Sequence, residues 1–402
     1  MKGKNNFLVP MAFLALMFFT CGFALGINSL LVPVLKVSLS VSSMEAYMLI
    51  GATFLPFLIF GYPAGILISK IGYKSTMATS FGMFAVAFGA FIFSVEAKSF
   101  PLFLLASFLC GTANTFLQAA INPYVTILGD TESAAKRISI MGMINKLAWP
   151  VSPLFIALLV GKSGNIAIDD LSKPFTVIIC LFLVLGVIAL LSPLPEVKAA
   201  GEDNEEADAK DQEVSAYANS KQSVFQFPHL VLGAIGIFFY VGAETIVLGT
   251  LIDYATELGF ANPQNYSWIT PISISVGYIT GIILIPKHLS QTRALQICSI
   301  VALIGTFLVV VLPGIYSICA VGIMALGCSL MWPAFWPLAL MDLGKYTKKG
   351  SSVLTMGLIG GAVITVLFGL IKDVSDIQYS YAICFVCFSY ILFYAFKGYK
   401  LR

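Results

Sequence analysis

Charge is scarce in these 402 residues: only 11% are Asp, Glu, Lys or Arg, where a soluble domain carries roughly 25%. That shortfall excludes an ordinary soluble fold. The formal net charge is +3, too small and too dispersed for a nucleic-acid partner. Histidine is nearly absent. His229 and His288 are the two present, each at a predicted helix end where a solvated, interfacial role is expected. The eight cysteines lie almost entirely in apolar runs. Cys384 and Cys387 form a CxxC inside the last such run, without His or acidic neighbours, so core packing is expected there rather than a metal. There is no GxxxxGK[ST] loop and no soluble stretch large enough for a nucleotide domain. ATP hydrolysis is thereby set aside, and an enzyme reading has almost no support.

What is abundant is apolar surface. Hydrophobic residues make up 58% of the chain, with a mean hydropathy of +0.92, and Phe (32) and Gly (34) are plentiful. Both fit membrane helices that anchor at interfaces and pack closely. Hydrophobic runs long enough to span a bilayer fall near 9–35, 45–69, 75–95, 100–128, 138–161 and 174–194. A second six fall near 228–257, 265–286, 292–312, 315–341, 351–371 and 378–396. The first run is too long for a signal-peptide core and has no small-residue cleavage site after it, so it is expected to be the first span. The predicted fold is an all-α membrane protein of twelve transmembrane helices. It divides into a half at 1–194, an acidic cytoplasmic linker at 195–226 containing GEDNEEADAKDQE, and a second half at 227–402. The linker has little to bury and is expected to be mobile, with room for a short surface helix.

With both termini inside, seventeen of the 23 basic residues lie on the cytoplasmic side. Only Lys36, Lys98, Lys162, Lys173 and Lys372 fall outside, and Lys146 falls within the membrane. The positive-inside rule therefore predicts cytoplasmic termini. The halves also echo each other. Gly61-Tyr62-Pro63-Ala64-Gly65 matches Gly277-Tyr278-Ile279-Thr280-Gly281, and Met141-Gly142-Met143-Ile144 matches Met356-Gly357-Leu358-Ile359, at offsets of 216 and 215 residues. An internal repeat predicts a pseudo-twofold axis along the membrane normal, with a midplane site between the halves.

Polar groups in the spans mark that site. Asn114, Gln118 and Asn122 stand four apart, which aligns three amides on one helical stripe. Asn145 and Lys146 lie about 12 Å along a helix starting near Ile138, at 1.5 Å per residue. An ammonium at that depth needs a carboxylate or a water-filled cavity. Glu244 is the one acid placed clearly inside a predicted span. It is the candidate for cation coupling, by taking a proton or by ligating sodium with Thr245, Asn28 or nearby carbonyls; the alternative is a permanent ion pair. Asp253, nearer the predicted outer surface, is expected to be solvated. Trp332 and Trp336 share a face flanked by Pro333 and Pro337, suited to the apolar face of a small solute; lipid-facing or interfacial tryptophan is the alternative. Amides suit a polar solute's hydroxyls because they both donate and accept, although helix–helix bonding uses the same residues. Gly357, Gly360 and Gly361 are expected to serve close packing.

Several local patterns together resemble the fucose permease-like sugar symporters of the major facilitator superfamily. They are Asn28-Ser29-Leu30-Leu31-Val32-Pro33, Gln118-Ala119-Ala120-Ile121-Asn122-Pro123-Tyr124-Val125, Tyr240-Val241-Gly242-Ala243-Glu244 and Leu343-Gly344-Lys345-Tyr346-Thr347-Lys348-Lys349-Gly350-Ser351-Ser352. Fucose permease has carboxylates at the positions of Ser29 and Gln118, so the likeness is greater to the glucose/galactose transporter branch. Gly65-Ile66-Leu67-Ile68-Ser69-Lys70-Ile71-Gly72 is a reduced form of the superfamily's loop after the second helix, with Ser69 in place of its Asp. The resemblance implies a secondary active hexose importer working by alternating access. Asn28, Asn114, Gln118, Asn122, Asn145, Lys146, Trp332 and Trp336 would bind substrate, and Glu244 would couple sodium or a proton, with no other cofactor. The expected setting is a bacterial-type inner membrane, as a functional monomer. Rival readings are a carrier of an acidic or modified sugar, an amphiphile efflux pump, and a sugar receptor that does not transport.

Overall fold

A computed structural model describes residues 8–127, 134–161, 166–192, 218, 220–285, 289–343 and 346–401. Most of the acidic linker, together with His288, lies outside the described residues. Among those described there are helices and no strand. Twelve helices are long and apolar enough to cross a membrane: α1 Val9–Leu39, α2 Ser43–Ile68, α3 Lys70–Ala97, α4 Phe100–Asn122, α5 Arg137–Val160, α6 Ile168–Leu191, α7 Pro228–Gly249, α8 Pro263–Leu284, α9 Gln291–Val311, α10 Gly314–Leu340, α11 Val353–Val374 and α12 Ile377–Lys400. A short helix, Leu251–Glu257, extends α7. The end of the bundle that carries the α1–α2 turn and this extension is called the distal end below.

Two apolar clusters fill the interior. One is built from α1 to α6 alone. The other is built from α7 to α12 and takes in Leu25, Tyr47, Ile50, Phe54 and Trp149 from the first half. The halves therefore meet through α1, α2 and α5. At Gly72, φ is 80°, a left-handed value that glycine adopts without steric cost. It makes the kink two residues inside α3 through which α2 and α3 join with no intervening loop.

In lipid, helices cannot rely on a hydrophobic difference between partner and solvent, so small residues that let backbones approach carry much of the association. Gly22 and Gly26 of α1 show this. A Cβ at Gly22 would sit 1.8 Å from the Asn145 carbonyl oxygen, and one at Gly26 would sit 1.9 Å from that of Trp149. At Gly360 of α11 a Cβ would stand 1.8 Å from the Phe238 carbonyl oxygen of α7, while one at Gly357 would approach Ala234 O at 2.7 Å and one at Gly361 would meet Phe54. All three α11 glycines thus serve close packing.

Two spans are broken where their polar residues lie. The α5 helix stops at Ala148 and resumes at Val151. Pro153, lacking an N–H, cannot bond the Trp149 carbonyl, which turns instead toward Gly26 and accepts from Ser152 Oγ at 3.3 Å. In the same way α10 breaks between Cys328 and Met331, where Pro333 leaves the Ser329 carbonyl without its helical partner. The glycines of α8 accept this bend, since a Cβ at Gly277 would lie 2.0 Å from Ser329 Oγ and one at Gly281 2.3 Å from a Leu330 methyl.

Gly26→Ala and Gly360→Ala should each lower the thermal unfolding midpoint of the purified protein in detergent by several degrees or prevent its recovery, an overpacking cost of about 1–3 kcal/mol. Gly89→Ala, where a Cβ would meet nothing within 4 Å, should leave the midpoint within a degree or two. Equal behaviour of the three variants would refute this account of the α1–α5 and α7–α11 contacts.

Candidate substrate and coupling site

The two ionisable groups expected inside the membrane find each other across the halves. Lys146 Nζ on α5 stands 2.7 Å from Glu244 Oε2 on α7. Glu244 is 6% exposed. Its other oxygen, Oε1, accepts from the Tyr240 hydroxyl at 2.6 Å. Tyr240 and Glu244 lie one turn apart on α7, the spacing at which helical side chains meet. A buried pair of this kind is held by geometry and by the donors on the remaining lone pairs, because each ion lost hydration worth several kcal/mol on burial.

One turn before Lys146 along α5 lies a narrow cleft of about 50 Å³, bordered by Phe18, Asn122, Ile138, Ser139, Gly142, Tyr278, Trp332 and Pro333. Gly142 and Lys146 are four apart on α5, hence on one face. Trp332 packs on Tyr240 with ring centroids 6.1 Å apart and on Trp336 at 5.4 Å, nearly edge-on. At that size the cleft admits a few waters and not a molecule the size of a sugar. A larger groove of about 430 Å³ runs between Phe225, Val231, Phe238 and Met356, but its lining is apolar and offers nothing to a sugar hydroxyl.

The remaining predicted residues are distributed unevenly. Asn122 is exposed and borders the cleft. Gln118 donates to Asn114 Oδ1 at 3.2 Å; Asn114 is fully buried and its own NH2 has no partner. Asn145 donates to the Phe18 carbonyl at 3.0 Å. Asn28 joins three helices by donating to Thr53 Oγ1 at 2.8 Å and accepting from Ser107 at 3.5 Å. Thr245 donates to Val241 O. The Trp336 indole N–H is buried without a partner.

Two expectations are corrected. Asp253 is not solvated: it is 2% exposed and accepts from Tyr47 at 2.7 Å and from Lys372. Nor is His229 solvated, since it is fully buried with Nε2 2.8 Å from the Met341 carbonyl. Position near a predicted span end says nothing about what packs over it, and that packing decided both.

Asp253 belongs to a distal network that sequence reasoning missed. Lys372 Nζ also reaches Glu257 Oε1 at 2.5 Å, and Lys36 from α1 reaches the same oxygen at 2.9 Å and Asp253 Oδ1 at 3.8 Å. Beside it, Asp373 of α11 accepts from the backbone N–H of Ser43 at 2.6 Å and of Met44 at 2.8 Å. It thus caps α2 where unpaired N–H groups and the helix dipole favour an anion. Trp149 was also missed; its indole donates to Ser29 Oγ at 2.7 Å. The signal available was the placement of Lys36 and Lys372 at span ends, with acids at Asp253 and Glu257.

Comparison with known proteins agrees with this architecture. The Major Facilitator Superfamily profile matches residues 14–366. A glucose/galactose transporter of Brucella abortus is 31% identical over 99% of this chain and 96% of its own. The L-fucose-proton symporter of Escherichia coli is 26% identical over 98% and 93%. Among solved structures, the transporter FucP in its outward conformation superposes with a TM-score of 0.70 at 24% identity, covering 97% of this chain and 98% of that one. A D-xylose-proton symporter gives 0.76 at 15% identity, covering 97% of each. This chain belongs to the Major Facilitator Superfamily, among its fucose permease-like members and on the glucose/galactose transporter side of that group.

Proposed function

We propose that the protein is a secondary active transporter that imports a neutral hexose of the glucose/galactose type together with a cation, by alternating access. The observation that carries this reading is the Lys146–Glu244 pair, 2.7 Å long and made between the two halves. In this conformation Lys146 is already neutralised by Glu244, which favours a neutral sugar over an acidic one. A cation arriving at Glu244, whether a proton or sodium, takes the charge that Lys146 was balancing. The ammonium is then free to donate to a sugar hydroxyl, so binding of one solute promotes binding of the other. Trp332 and Asn122 supply an apolar face and an amide beside it. The amides of Asn114, Gln118 and Asn145 enter the same reading as residues that reach substrate once the halves part.

In this reading, the distribution of basic residues sets both termini in the cytoplasm of a bacterial-type inner membrane, and a monomer suffices. The distal end then faces outward. Lys36, Tyr47 and the N-terminus of α2 belong to the first half, and Asp253, Glu257 and Asp373 to the second. Their bonds hold the outer ends together, and opening outward requires breaking them.

Labelled glucose or galactose should accumulate in proteoliposomes under an imposed sodium or proton gradient, naming the cation. Absence of both gradient-driven uptake and counterflow would refute a neutral-hexose carrier. Glu244→Gln should cut accumulation at least tenfold while sparing exchange of labelled sugar; undiminished accumulation would remove Glu244 from the mechanism. Tyr47→Phe combined with Asp373→Asn should favour the outward-open state by tenfold or more, each lost bond to a charged group being worth about 1.5–3 kcal/mol. Spin labels at Ser40 and Ala261, both exposed at the distal end, in a background without native cysteines would report it as a growing long-distance population. A distance distribution identical to that of the parent would sink the latch.

A further inference from the structure

Tyr240 has no part in the function proposed so far, yet it bonds the carboxylate that carries it, on the oxygen that Lys146 leaves free. It is 1% exposed. Its hydroxyl donates to Glu244 Oε1, while Lys146 holds Oε2. Its ring lies 6.1 Å from that of Trp332, with planes inclined by 34°, and 6.3 Å from that of Phe335. Trp332 borders the cleft, so Tyr240 touches both a residue of the cleft wall and the carboxylate. A core tyrosine needs only some acceptor for its hydroxyl. Tyr346, Tyr390 and Tyr394 use the backbone carbonyls of Lys221, Leu232 and His229, whereas Tyr240, like Tyr47 at the distal end, uses a carboxylate side chain.

We propose that Tyr240 is a positioning residue for coupling: its hydroxyl pins Oε1 of Glu244, so that Lys146 and the incoming cation compete for Oε2, and its ring carries any displacement of Trp332 to that carboxylate. This rests on the symport reading above in assigning the cation to Glu244. The phenol acts on affinity with a definite sign. A donor on a carboxylate oxygen stabilises the bare anion and occupies a lone pair that a cation would use. Removing it should make Glu244 bind a proton or sodium more tightly. A merely structural hydroxyl predicts the opposite, because a carboxylate released from its place binds a cation less well.

The test is Tyr240→Phe, which keeps the ring and its contact with Trp332. Counterflow of labelled glucose in proteoliposomes is titrated with protons and, separately, with sodium, for parent and variant. The cation concentration for half-maximal counterflow should fall about tenfold, as expected for one charge-assisted hydrogen bond; an unchanged or higher requirement overturns the proposal. If the variant shows no counterflow, the same titrations are read by tryptophan fluorescence of the purified protein, with Trp332→Phe identifying the signal from Trp332. A tenfold shift of that midpoint to lower cation concentration supports the role, and a midpoint equal to the parent's or higher overturns it. If the parent carries neither glucose nor galactose, the transport reading fails by itself and the fluorescence titration still judges Tyr240. A parent whose Trp332 signal responds to neither cation overturns the proposal.

Discussion

An ammonium at mid-depth in a bilayer has no water to turn to, and the arrangement around Lys146 follows from that constraint. Its charge is met by Glu244 from the other half of the chain, so the bond that stabilises the ion also joins the halves. Breaking such a pair by removing one partner costs about 3–5 kcal/mol. Each group therefore stays in place only while the other faces it, and in the proposed function a solute or cation takes over one side. A structural necessity and a functional opportunity coincide in one contact.

Getting the ammonium to that place depends on backbone features rather than on charge. The α5 helix is interrupted beside Trp149, and the carbonyls of Asn145 and Trp149 lie against the bare faces of Gly22 and Gly26. On the opposite side α10 is interrupted beside Trp332 and nests on the glycines of α8. Prolines remove hydrogen bonds and glycines admit the resulting bends, so irregular backbone is buried against protein instead of facing lipid.

Much of this was legible before any coordinates. Hydropathy found all twelve spans, because a membrane helix declares itself through length and apolar content alone. The spacing of Asn114, Gln118 and Asn122 was read correctly as one stripe, and the first two do bond to each other. The pairing of Lys146 with Glu244, 98 residues away, has no local signature. Depth along a helix was also a poor guide to solvation. Asp253 was assigned to water from its place near a span end, but Tyr47 and Lys372 cover it. Glycines such as Gly22 and Gly26 are visible in the sequence at a spacing of four, yet what they approach is decided by the partner helix.

The weld between α1 and α5 has a mechanical consequence. Lys36 is mounted on α1 and Lys146 on α5, so both cationic arms that reach into the second half ride on a single stiff piece. When such a piece tilts about the middle of the membrane, displacement grows with distance from the fulcrum. Under the alternating access proposed above, Lys36, far out on the lever, would move farther from Glu257 than Lys146, close to the fulcrum, would move from Glu244. The distal contacts are then the first to part, and the central pair is left to be settled by chemistry instead of by leverage.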